Sequence, residues 1–130
     1  MKNLAVKHFD EKEEKIVNDL IILGLSRPVA KTLAYLQQVN EIKSSELEMG
    51  TDLRQPEVSI ATKELKERDW INEREEKKPG KGRPYRIHSL KVGFNEIIAQ
   101  LEKQKKKAVD DMLLKVERLK ELGNIAPTGS

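Results

Sequence analysis

Between Arg54 and Lys66 the chain places Arg54, Gln55, Ser59, Ile60, Lys63 and Lys66 around an apolar set, Val58, Ala61 and Leu65, at helical spacing. A segment of this kind hides one stripe in a core and offers the other to solvent or a partner. The side-chain types suit base edges and phosphates. A Gln amide pairs bidentately with adenine, a Ser hydroxyl meets a base or a phosphate, and an exposed Ile methyl rests on a thymine methyl. Free backbone N–H groups at the start of the helix add attraction for phosphate. A second group follows in Lys77, Lys78, Lys81, Arg83, Arg86 and Lys91, with no Asp or Glu from 77 to 91, a local charge of +6. The formal charge of the whole chain is only +3, so the concentration of charge, more than its total, points to an anionic partner.

Other chemistries lack their residues. Cysteine is absent, which removes disulfides, thiolate zinc sites and thiol nucleophiles together. The two histidines, His8 and His88, read as ordinary surface residues, and no metal site is assigned. No carboxylate pair, nucleophile motif or phosphate loop is evident, and Gly80-x-Gly82 is too little for a nucleotide fingerprint, so neither a cofactor nor catalysis is expected. The longest apolar run, Leu20 to Leu23, is far shorter than the ~20 residues that span a bilayer. With no signal-peptide pattern at the N-terminus, a cytoplasmic protein without membrane contact is expected.

The elements that must hold the two groups follow from periodicity. Asp10 with Glu13 reads as a capping box opening a helix whose apolar stripe is Ile16, Leu20 and Leu23 and whose stop is Gly24. Ser26 caps a second helix, with Val29, Leu33 and Leu36 on one face and an end near Val39 or Asn40. A short third helix starts at Ser44 or Ser45, with Glu48 completing a box from Ser45, and stops at Gly50. A fourth runs from Gln55 to Arg68 after a short turn, so the pair is a helix-turn-helix candidate. From Trp70 to Glu75 the period shortens towards two, and Tyr85 to His88 alternate as a returning strand. The Gly/Pro-rich Lys77–Pro84 segment is the hairpin loop between them, and Trp70 closes the core beneath it. Ser89 caps a last helix without proline from Leu90 to Leu122, about 45 to 50 Å long at 1.5 Å per residue, which ends at Gly123. Ile98, Leu101, Ala108, Met112, Val116 and Leu119 nearly follow a heptad seam on it.

This order of elements resembles the winged-helix regulators of the MarR and TrmB types, with residues 26–88 carrying the likeness. Leu53 to Ile71 is similar to the family's recognition helix running into its first wing strand, and Gly82-Arg83-Pro84-Tyr85 to its wing signature. Two positions depart from the pattern: Arg54 stands where the family often has Ser or Thr, and Ile60 where it often has a basic residue. Lys81-Gly82-Arg83-Pro84 also resembles the core of an AT-hook, whose basic side chain lies in a narrow minor groove.

The expected architecture is therefore mainly α with a small β-hairpin wing: an N-terminal helix in 1–25, a winged helix-turn-helix in 26–89, a dimerisation helix in 90–123 and a frayed tail in 124–130. The resemblance implies a homodimeric regulator of double-stranded DNA on a pseudo-palindromic operator, with the helix from Gln55 in the major groove and Lys81 and Arg83 of the wing in the minor groove. Half-sites would lie about one helical turn, or a multiple of it, apart. A crevice between the dimerising helices and the DNA-binding lobe leaves room for a small-molecule effector. The alternative is a protein-interaction module in a transcription or RNA-processing assembly, with the long helix docking a different partner.

Overall fold

A computed structural model describes residues 11–77, 80 and 82–125. Its elements are α1 (Glu11–Ile22), α2 (Arg27–Leu36), β1 (Ile42–Lys43), α3 (Ser44–Thr51), α4 (Gln55–Glu67), β2 (Ile71–Glu76), β3 (Tyr85–Leu90) and α5 (Phe94–Ile125). The chain divides into two units, residues 1–97 and residues 98–130. Asp10, Lys78, Pro79, Lys81, His8 and residues 126–130, on which several expectations fall, lie outside the described residues.

In the first unit α1 packs on α2, α2 on α3 and α4, and α4 on the sheet. The shared core is made by Val17, Leu20, Val29, Leu33, Leu36, Leu47, Leu65, Trp70 and Ile97, each 2% exposed or less. In α1 the buried apolar residues are Val17 and Leu20, so Leu20 is buried as expected, while Val17 takes the place of Ile16 and Leu23 is only partly covered. Leu25, just past the helix, is buried as well. Gly24 does stop α1: at φ +114° it lets its own N–H reach Ile21 O at 3.0 Å and the Leu25 N–H reach Leu20 O at 3.1 Å.

Helix α2 begins after Ser26, as expected, carries Pro28 in its first turn, and ends at Leu36, short of Val39. The short strand β1 was not expected. It lies antiparallel to β3, pairing Ile42 with His88 and Lys43 with Ile87, and β3 pairs with β2 from Ile71↔Leu90 to Glu76↔Tyr85, giving the order β1-β3-β2. Two residues are too few to leave a period in the sequence.

Gly50 is not the stop of α3. It lies inside the helix, where a Cβ would enter the Tyr35 ring. The stop is Asp52, in the left-handed region at φ 58°. The box expected from Ser45 to Glu48 lies two residues earlier: the Glu46 carboxylate accepts the Lys43 N–H at 3.1 Å, so the helix starts at Ser44.

Helix α4 ends in the same six-residue closure as α1, with Asp69 at φ 65° in glycine's role, its N–H on Lys66 O and the Trp70 N–H on Leu65 O. Trp70 is 1% exposed and its carbonyl accepts the Lys91 N–H at 2.8 Å, so it closes the core beneath the hairpin. Ser89 and Leu90 are strand residues, and α5 starts only at Phe94. The β3–β2 ladder takes the backbone groups that a helix from Leu90 would need. At its other end α5 runs through Gly123 to Ile125.

Candidate nucleic-acid interface

Helix α4 buries Val58, Ala61, Thr62 and Leu65. Its exposed side divides in two. Gln55, Ser59 and Lys66 recur at i, i+4 and i+11 and flank the buried stripe, whereas Ile60 and Lys63 lie farther round the helix with Glu64, Glu67 and Arg68. These five residues of α4, all expected to face a partner, are exposed, Ile60 at 66%.

Gln55 and Ser59 open on a concave cleft that α4 shares with α3 and the hairpin strands. The same cleft is lined by Ser44 and Ser45 at the start of α3, and by Arg83, Pro84, Tyr85 and Arg86 at the return of the hairpin. The fold thus brings Gln55, Ser59 and Arg83, 24 to 28 positions apart in the chain, to one surface. Within it the Gln55 amide Nε2 donates to Ser59 Oγ at 3.0 Å, leaving the amide oxygen and the serine hydroxyl hydrogen for an incoming group. Arg54 is exposed ahead of the helix, and its own N–H is accepted by Glu57 Oε1 at 2.9 Å. That carboxylate already occupies part of the amide array expected to attract phosphate.

A charged cluster adjoins the cleft through Arg86 and His88, which line it. Glu73 of β2, 15% exposed, lies 3.4 Å from Lys66 Nζ, 3.8 Å from Arg86 Nη1 and 3.8 Å from His88 Nδ1. His88 is no surface histidine: it is 1% exposed, on the central strand, with Nε2 2.7 Å from Ser44 Oγ and Nδ1 without a hydrogen-bond partner. Burial pushes its pKa below the ordinary value, opposed by Glu73 and assisted by Arg86 and Lys66. On the other side of the hairpin Lys43 Nζ sits 4.0 Å from the centre of the Tyr85 ring, and Arg74 reaches back to Glu41 at 2.9 Å.

No family model and no curated protein matches the chain. Solved structures do. A protein of Methanosarcina mazei described as a possible transcriptional regulator superposes with TM-score 0.62 at 18% identity, over 78% of this chain and 87% of its own. The fold is a MarR-type winged helix. A MarR-family regulator from Silicibacter pomeroyi (TM-score 0.50, 18% identity, 88% of this chain and 82% of that one) and a mutant MarR from E. coli (0.50, 17%, 88% and 85%) are similar to it as well.

In winged-helix terms α3 and α4 are the helix-turn-helix, β2 and β3 the wing strands and β1 the third strand of the sheet. Serines 44 and 45, Glu73, Arg86 and His88 were not among the expected site residues. Arg86 could have been picked out from the run of basic residues, and His88 from its place beside Ile87 in an alternating strand. Glu73 carries no signal of its own, because it acquires its neighbours only through the register that sets it opposite His88.

The residues expected to pair two winged helices lie on α5. Ile98 is half-buried and Leu101 buried, whereas Ala108, Met112, Val116 and Leu119 are exposed. Val109 and Leu113, at 44% and 57% exposure, belong to the same stripe by spacing and were not expected.

Proposed function

We propose that the chain is a DNA-binding transcriptional regulator, a recognition module with no catalytic role, which acts as a homodimer. The observation that carries this reading is the meeting of Gln55 and Ser59 of α4 with Arg83 of the wing on one exposed, concave surface. In this reading α4 enters the major groove. Gln55 and Ser59 read base edges, Arg54 and Lys66 contact phosphate, and Ile60 and Lys63 address the far wall of the groove. Arg83 and Lys81 follow the adjacent minor groove, where a narrow A·T-rich segment concentrates negative potential. The stripe on α5 pairs two chains, which presents the two recognition helices to a pseudo-palindromic operator.

The test is fluorescence anisotropy on duplexes enriched from genomic fragments and on scrambled controls, run across a salt series beside light-scattering mass measurement. A specific dimeric regulator holds the enriched duplex ~10³-fold or more above the scrambled one, with affinity falling steeply as salt rises. Equal affinity for both at every salt would defeat the regulator reading. A mass of one chain together with no duplex binding would favour a module that docks another protein through α5.

A further inference from the structure

Glu73 is a carboxylate that meets cations on both α4 and β3. It projects from the second wing-facing position of β2 and meets Lys66 on α4 and Arg86 on β3, both of which are themselves exposed. Behind it stands buried His88, whose unpartnered Nδ1 faces the same carboxylate oxygen that Lys66 approaches. We propose that Glu73 is a positioning residue for DNA binding: it holds Lys66 and Arg86 at the edge of the cleft in the free protein, and His88 sets the strength of that hold. The proposal rests on the duplex-binding reading above.

The physical argument starts from competition. A carboxylate 3.4 Å from an ammonium stands in for a phosphate oxygen, so the cation is released to a duplex only as Glu73 lets it go. Glu73 therefore lowers affinity for any polyanion and favours a duplex whose contour takes both cations together. That raises discrimination at the expense of strength.

His88 enters because its ring bridges two elements. Ser44 of α3 holds Nε2, and the other nitrogen, 3.8 Å from Glu73, is beyond hydrogen-bond reach. The charged groups around the ring are Glu73 from β2, Lys66 from α4 and Arg86 from its own strand. Lys43 of β1 is drawn off over Tyr85, and Glu48 of α3 and Glu75 of β2 line the cleft beyond. With burial dominating, the ring is neutral at neutral pH and gains its proton only below the usual histidine range. Once charged, its Nδ1–H draws the Glu73 carboxylate inward, and the hold on Lys66 and Arg86 weakens. Acidification and removal of the carboxylate should thus act alike.

The experiment compares wild type with Glu73→Gln on the enriched and scrambled duplexes, between about 50 and 200 mM salt, where each cation newly given to phosphate adds ~0.9 to the slope of log affinity against log salt. Release of one or two cations makes the variant lose about 3- to 12-fold more affinity than wild type across that fourfold range. The variant should also bind scrambled duplex more tightly at low salt and discriminate less. As the pH is lowered from about 7 to about 5, through and below the usual histidine range, the wild type moves towards the variant's slope, and the variant does not move. An unchanged slope in Glu73→Gln, or a pH response that survives in it, overturns the proposal. Lys66→Gln, at an exposed position, reads the same coupling from the other partner, since its gain in slope on acidification should be smaller than that of wild type.

A measurement without DNA separates this inference from the reading beneath it. In a His8→Gln background His88 is the sole histidine, and its ring titration is followed by NMR. Glu73→Gln removes the group that raises its pKa, so the ring should titrate at still lower pH. No shift overturns the Glu73–His88 contact. If wild type binds no duplex at all while this shift appears, the DNA reading has failed and the contact stands.

Discussion

Gly50 and Tyr35 show how a single position can carry two opposed energies. Alanine in place of glycine inside a helix gains about 1 kcal/mol of propensity. Here the added methyl would enter the Tyr35 ring, which is fully buried and surrounded by α2 and α3 core residues, so it has no free space to retreat into. Overpacking of such a core costs about 1–3 kcal/mol, so the steric term exceeds the propensity gain. Gly50→Ala should therefore lower the urea midpoint with little change in m-value, a loss of stability of up to about 2 kcal/mol once the two terms are combined. A midpoint equal to or above that of wild type would mean that Tyr35 yields freely. The sequence displays Gly50 openly but assigns it the wrong task, because a glycine just ahead of a turn reads as a helix end. Only the fold brings an aromatic ring from α2 against it. His88 was misread for the same reason: its environment is assembled from β1, β2, α3 and α4, and none of these is adjacent to it in sequence.

At the scale of elements, the helices and hairpin were readable because each carries a local signal of period, cap or turn residue. Boundaries failed where a tertiary partner decided them, as at Leu90, which pairs with Ile71 instead of joining α5. The ends of α1 and α4 use one closure with different residues, which makes a paired prediction. Gly24, at φ +114° with open space around its Cα, loses only conformational freedom on replacement. Gly24→Ala should cost about 1–2 kcal/mol, the penalty of a Cβ in a left-handed backbone. At Asp69 the penalty is already present, and Asp69→Gly relieves it while giving up the 2.7 Å ion pair with Lys91. Both partners of that pair are largely exposed, so its loss costs at most about 1 kcal/mol and the substitution should be neutral or slightly stabilising. Thermal melts of the two variants should shift in opposite directions, or the second should not shift; a large loss in Asp69→Gly would assign the Lys91 pair a greater part in seating β3.

At the scale of the molecule, the stripe on α5 asks for a partner. Met112, Val116 and Leu119, with Val109 and Leu113, recur at i, i+3, i+4 and i+7, and all are at least 39% exposed. Leu114 is equally apolar and 64% exposed but lies on the opposite side of the helix by spacing, which makes it an internal control. If the stripe pairs two copies, a symmetric interface counts each substitution twice. Loss of a buried leucine side chain is worth about 1.5–3 kcal/mol, hence about 3–6 kcal/mol per dimer for Leu119→Lys before the cost of burying charge, or roughly a hundred- to ten-thousandfold in the dimer constant. Light scattering should then give the mass of two chains for wild type and for Leu114→Lys, and of one chain for Leu119→Lys at the same concentration. Affinity for a pseudo-palindromic duplex should fall in the monomeric variant while affinity for a single half-site is kept, because the coupling between two recognition helices is lost and the helices themselves are not. Two chains in all three proteins would move the interface off this stripe, and one chain in all three would leave α5 to a partner other than a second copy.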